Sequence, residues 1–125
     1  MSNVNNFSAM CINYYEEDDV FTIGIGDDSH DPKNFIIIGR FDEDELPVNE
    51  CIGFQSESTE HELRDSIRSV LFTEDKLVIA LNVDAVKMIG IREYHVDIPA
   101  AKDSKYLEKY LREVFDGSDV PLQLP

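Results

Sequence analysis

The sequence predicts an α+β fold, an antiparallel β-sheet of about six to seven strands with a C-terminal α-helix packed on one face. Three observations carry that prediction. Short runs rich in Ile, Val, Phe and Tyr recur between clusters of acids, Gly and Pro, which is the pattern of strands and turns. Apolar spacing of three and four is sustained only near the end of the chain, between residues 106 and 115. At 125 residues, 42% of them hydrophobic, the chain reads as one domain (1–125) able to bury a single core.

Residues 7–15 are a first, imperfectly alternating strand. Residues 20–27 place Phe21, Ile23 and Ile25 on one face and Val20, Thr22 and Gly24 on the other. The acids Glu16-Glu17-Asp18-Asp19 between these runs read as a hairpin loop. Residues 35–41 are apolar on both faces, as in a central strand covered on each side. Asp31-Pro32 before them, and Asp42-Glu43-Asp44-Glu45 with Pro47 after them, mark its boundaries. Residues 50–55 form a short fourth strand, and residues 56–62 a loop or one helical turn.

Residues 67–72 and 76–81 make a hairpin with Thr73-Glu74-Asp75 at its tip. Asn82 or Asp84 caps a short helix that runs to Ile89 and closes at Gly90. Residues 92–98 alternate cleanly, with Tyr94, Val96 and Ile98 inward and Glu93, His95 and Asp97 outward, until Pro99 stops them. Asp103 or Ser104 is the expected N-cap of the last helix. Its apolar stripe is Tyr106, Leu107, Tyr110, Leu111, Val114 and Phe115, and its outer side carries the pairs Glu108→Arg112 and Lys109→Glu113. Gly117 follows as a C′ residue. Residues 118–125, with Pro121 and Pro125, are a loose or strapped tail.

Charge is the most informative feature for function. The formal net charge is −15, and residues 1–63 hold 15 of the 26 acids against two bases, Lys33 and Arg40, a balance of −13. Residues 64–125 hold 11 acids against nine bases, a balance of −2. The acids cluster at Glu16, Glu17, Asp18 and Asp19, at Asp27, Asp28 and Asp31, and at Asp42, Glu43, Asp44 and Glu45. Such a surface repels nucleic acid and anionic membranes and attracts a basic partner over about 8 Å at physiological salt. No run of about 18 apolar residues offers a membrane span. The first residues lack the basic and apolar regions of a secretory signal, so a cytoplasmic protein is expected. Cys11 and Cys51 then read as reduced, buried small hydrophobes.

Catalytic and cofactor motifs are weak. Gly24-Ile25-Gly26 begins a dinucleotide fingerprint, but Ser29 stands where its third glycine belongs and no helix opens there. The Asp42–Glu45 acids have Pro47 where a calcium loop requires glycine. Asp27, Asp28, His30 and Asp31 contain metal-competent donors, yet neighbours on one turn rarely converge. Glu93, His95 and Asp97 share a strand face at about 7 Å spacing, as an imidazole between carboxylates or as a solvated edge strand. Neither cysteine has an activating base, and no serine lies in a nucleophile elbow. The expectation is a binding protein without catalysis or cofactor. The competing classes are a metal-binding protein or enzyme on those acid–histidine groups, and a DNA mimic that regulates another basic protein.

The stretch Glu17-Asp18-Asp19-Val20-Phe21-Thr22-Ile23-Gly24-Ile25-Gly26-Asp27-Asp28 and the apolar strand at residues 35–40 resemble the immunity protein 10 family. So do Leu77-Val78-Ile79-Ala80-Leu81, Ile89-Gly90 and the helical Leu107, Leu111 and Phe115. The same residues are similar to the wider immunity proteins of contact-dependent growth inhibition. The resemblance spans residues 7–115 and departs at Asp65-Ser66, where the family tends to carry a glycine pair. It implies an α+β fold and tight 1:1 binding of a monomer to a cognate toxin C-terminal domain. That toxin would be basic and a nuclease, a ribonuclease first, because phosphate backbones demand a basic cleft. By charge density the toxin-facing residues are Asp42, Glu43, Asp44, Glu45, Asp27, Asp28, Asp31, Glu16, Glu17, Asp18 and Asp19. Tyr15, with Tyr14 as a further candidate, would supply aromatic anchors, and Phe41 is either a third anchor or a core residue.

Overall fold

The computed structural model describes residues 3–99 and 101–125, except for the side chains of 101–103. It is α+β; among the described residues ten strands are divided between two five-stranded sheets that share one core. One sheet is an antiparallel meander of consecutive strands, β2 (Cys11–Glu17), β3 (Val20–Gly26), β4 (Phe35–Arg40), β5 (Ile52–Ser56) and β6 (Leu63–Arg64). The other has the order β1 (Val4–Ser8), β9 (Glu93–Asp97), β8 (Lys76–Leu81), β7 (Ile67–Phe72) and β10 (Leu122–Gln123). Its middle pairs are antiparallel, and its two outermost strands join in parallel.

Two sheets replace the single sheet of the sequence expectation because the chain changes sheets inside what looked like one strand. Ala9 N–H still bonds Asp97 O on the β1 side at 2.8 Å, while Met10 N–H already bonds Gly26 O on the β3 side at 2.8 Å. The 50–55 strand is displaced in a similar way. A 3-10 turn, Val48–Cys51, precedes it, so pairing starts at Ile52.

The inner faces follow the alternation read from the sequence. Ile23 and Ile25 of β3, Ile36 and Ile38 of β4, and Phe54 of β5 are fully or almost fully buried. Val70, Phe72, Leu77, Ile79, Tyr94 and Val96 face them from the other sheet within the same core. Across that interface the Phe54 and Tyr94 rings meet edge-on at 5.1 Å, and the Tyr94 hydroxyl lies 2.6 Å from Ser56 Oγ. Burial raises the Tyr94 pKa, so the phenol stays neutral and able to share a proton with Ser56.

Helix α1 (Val83–Ile89) starts and stops as its sequence dictates. Asn82 Oδ1 accepts from Ala85 N–H at 3.0 Å, and Gly90 takes φ 76° at the other end. Helix α2 (Ala101–Phe115) lies against β2, β3 and β4 and buries Leu107, Leu111, Val114 and Phe115. It begins earlier than expected, so Asp103 and Ser104 fall inside it. The Asp103 side chain lies outside the described part, and Ser104 Oγ donates instead to Glu74 O at 2.8 Å. Tyr106, assigned to the buried stripe, is 59% exposed. Glu108 and Arg112 pair at 3.1 Å, whereas Glu113 turns to the Tyr14 hydroxyl. The tail is strapped: Pro121 O accepts from Val70 N–H at 2.9 Å, and β10 runs parallel to β7.

Two surface expectations change. The β4 strand is central but covered on one side only, because Ile36 and Ile38 are buried while Phe35 and Ile37 are half-buried on the opposite face. Cys51 is buried, whereas Cys11 lies on that same open face and is only partly covered.

Candidate functional site

The division of charge coincides with the division into sheets. Residues 11–64, which build the meander, contain 15 acids and three bases, Lys33, Arg40 and Arg64. The rest of the chain contains 11 acids and eight bases. Two of the meander's three cations are already engaged. Arg40 Nε holds Asp42 Oδ1 at 3.0 Å, and its Nη1 donates to the carbonyls of Glu113, Val114 and Asp116 at 3.2, 3.0 and 2.6 Å. It thereby caps the last turn of α2, where helix carbonyls lack partners. Arg64 lies over the Phe41 ring at 4.2 Å and within 3.6 Å of Glu62 Oε1.

A meander puts successive loops at alternate ends, so the acidic clusters form two groups rather than one. The β2–β3 turn and residues 42–45 lie at one end. Asp27, Asp28 and Asp31, in the β3–β4 loop, lie at the other, about 20 Å away by the rise of a six-residue strand. At the first end Asp18 and Asp19 form a two-residue turn with φ 52° and 65°, a conformation for which Asn and Gly are the usual choices. Both are exposed. Glu43, Asp44 and Glu45 are exposed as well, and none enters an ion pair among the described residues.

At the second end the carboxylates are partly committed to the loop itself. Asp27 accepts from the Asn34 side-chain amide at 3.0 Å and from the backbone N–H groups of Lys33 and Asn34 at 2.9 and 3.2 Å. These donors, the Asn34 amide first, hold its pKa below the usual carboxylate range. Asp28 Oδ1 accepts from His30 N–H at 2.8 Å. Glu57 bridges Asn5 Nδ2 at 2.6 Å and Phe35 N–H at 3.0 Å. Among the described residues no group of three or more His, Cys, Asp or Glu side chains is placed to hold a metal ion.

Between the two ends lies the outer face of the meander. Cross-strand register places Tyr15, Thr22 and Gly39 in one row, and Asn13, Gly24, Ile37 and Gln55 in the next. Tyr15 is 59% exposed, and a shallow groove of about 330 Å³ runs beside it over Gly24 towards Phe35 and Pro32. The glycines differ in what occupies the space above them. Pro32 folds over Gly26, with its Cβ 3.2 Å from where a Gly26 Cβ would be. The Glu62 side chain lies directly on Gly53 and reaches to 3.8 Å from where a Gly39 Cβ would be. Nothing lies within 4 Å above Gly24.

Of the proposed aromatic anchors only Tyr15 is free. Tyr14 stacks on Tyr110 at 4.0 Å and donates to Glu113 Oε2 at 2.6 Å. Burial and then Glu113 push its hydroxyl pKa well up, so it acts as a fixed donor between β2 and α2. Phe41 is half-buried under Arg64. The Glu93, His95 and Asp97 trio lies on β9, which is interior to its sheet between β1 and β8 rather than an edge. Glu93 Oε1 and His95 Nε2 pair at 2.9 Å, and that contact lowers the Glu93 pKa, while Asp97 is exposed. Gly24-Ile25-Gly26 is wholly within β3, with no helix after it.

No protein-family model and no curated protein matches this chain. Among the described residues no helix is long and apolar enough to cross a membrane.

Proposed function

We propose that this protein is an immunity protein, an antidote that binds a basic bacterial toxin domain in the cytoplasm. It neutralises that domain by covering its active-site cleft, and it catalyses nothing itself. The toxin is a nuclease, a ribonuclease before others, since such a cleft must be basic to hold a phosphate backbone. The supporting observation is that 15 acids against three bases fall on one sheet, with Asp18, Asp19, Glu43, Asp44 and Glu45 projecting from one end of it. General acidity for solubility would be served by scattered charge. Clustered carboxylates stand where phosphates would and steer encounter, lifting association towards about 10⁸–10⁹ M⁻¹s⁻¹ at low salt. Speed matters for an antidote whose target is already active.

The test is association with a basic toxin domain, which this reading expects to be encoded beside the gene. Glu43→Lys, Asp44→Lys and Glu45→Lys together leave the Arg40–Asp42 pair and the helix cap intact. The triple variant is expected to keep the parent's circular dichroism and to associate at least tenfold more slowly at low salt. An unchanged rate moves the interface away from this end of the sheet. Failure of the wild-type protein to bind or protect against the domain removes the antidote reading.

A further inference from the structure

We infer that the groove over Gly24 is the seat of an arginine side chain presented by the basic partner, a deepening that rests on the function proposed above. The space is open in a way the protein itself does not explain. Pro32 fills the room above Gly26 and Glu62 that above Gly53, so the absence of a side chain at those positions serves the fold. Gly24, in the interior strand β3, has nothing above it, and a glycine inside a strand otherwise costs stability. Such a glycine marks a place where another group approaches the backbone closely.

The walls and ends of the groove select the occupant. Tyr15, Phe35 and Ile37 leave apolar surface uncovered along it, suited to the methylene stem of a long side chain. Beyond the groove, Glu62, whose Oε1 lies 3.6 Å from Arg64 Nε, packs over Gly39, the diagonal cross-strand neighbour of Gly24, about 7–8 Å away. Asp28 borders the opposite end. An apolar bed with an exposed phenol ring and a carboxylate at its end fits a guanidinium better than an ammonium. The planar cation stacks on the ring and bonds a carboxylate through two N–H groups. A surface whose meander carries 15 acids against three bases brings that cation in.

Gly24→Val tests the inference, because its Cβ enters open space above the strand and it places a β-branched residue there. The variant is expected to melt at or above the parent temperature. With the neighbouring toxin domain it should associate at the parent rate, since the steering acids are intact, but dissociate at least tenfold faster. Tyr15→Ala and Glu62→Gln should each speed dissociation in the same direction. A second probe is the capped peptide acetyl-Gly-Leu-Arg-Leu-Gly-amide, titrated to 20 mM against ¹⁵N-labelled protein. Saturable shifts at the Gly24 and Ile37 amides, weaker with Lys in place of Arg and absent in Gly24→Val, support the site. Shifts confined to Asp18, Asp19 and residues 43–45, or none at Gly24, overturn it. If Gly24→Val releases the toxin no faster than the parent, the groove fails and the antidote function stands. If the peptide binds over Gly24 but no toxin is neutralised, the function fails and the groove stands.

Discussion

The meander of residues 11–64 and the sheet built mainly from residues 67–123 contribute to one core but present different surfaces. The meander carries 15 acids against three bases, and two of those bases are turned to internal duty at Asp42, Phe41 and the α2 carbonyls. Its outer face has an open groove and an exposed Tyr15. The rest of the chain is closer to balance, with 11 acids and eight bases, and the second sheet carries the Glu93–His95 pair and uses the strap of β10 to finish its edge. Unpaired like charge destabilises a compact state through self-repulsion, so a sheet that keeps it is held by something else. Here the other half of the molecule does the holding. Helix α2 packs Leu107, Leu111, Val114 and Phe115 into the core against β2, β3 and β4, and Tyr94 reaches across to Ser56.

That division can be broken from the structural side first. Leu111 is fully buried, and Leu111→Ala should lower the unfolding free energy by about 2–5 kcal/mol in denaturant titration. A loss under about half a kcal/mol would mean that α2 does not support the meander. The next effect is smaller and sharper. Arg40 belongs to the acidic sheet by sequence but serves the helix, and its side chain is only 12% exposed. Arg40→Met should cost about 1.5–3 kcal/mol by leaving three helix-end carbonyls and Asp42 without their donor. Arg40→Lys should recover little of that loss, because an ammonium cannot reproduce the fork. Full recovery with Lys would mean that Arg40 acts only by screening its acidic neighbours.

Local order was legible in the sequence wherever a periodicity or a cap encoded it. The alternation of β3, the hairpin of β7 and β8, the Asn82 and Gly90 limits of α1 and the Leu107–Leu111 stripe all appear as read. What escaped is nonlocal. The change of sheet at Ala9-Met10 has no Gly or Pro to announce it, and β6 and β10, at two residues each, are too short for a period. Arg40 meets acceptors 73 to 76 residues away, which no spacing rule detects. Hydrophobicity showed that β4 is apolar on both faces but not that one face is left open. The acidic clusters were visible as composition, while their separation to two ends follows from the meander's connectivity.

On the proposed function, the meander's charge exists to meet an opposite charge. The most direct test is the association rate of the wild-type protein with the basic toxin domain proposed as its partner, by stopped flow. The series runs from roughly 0.02 to 0.5 M NaCl, over which the Debye length falls from about 20 Å to about 4 Å. The rate should fall at least tenfold across the series as the carboxylates of residues 16–19 and 42–45 are screened. A rate that stays flat would mean that the meander's charge does not steer binding, even for a protein that proves to be an antidote.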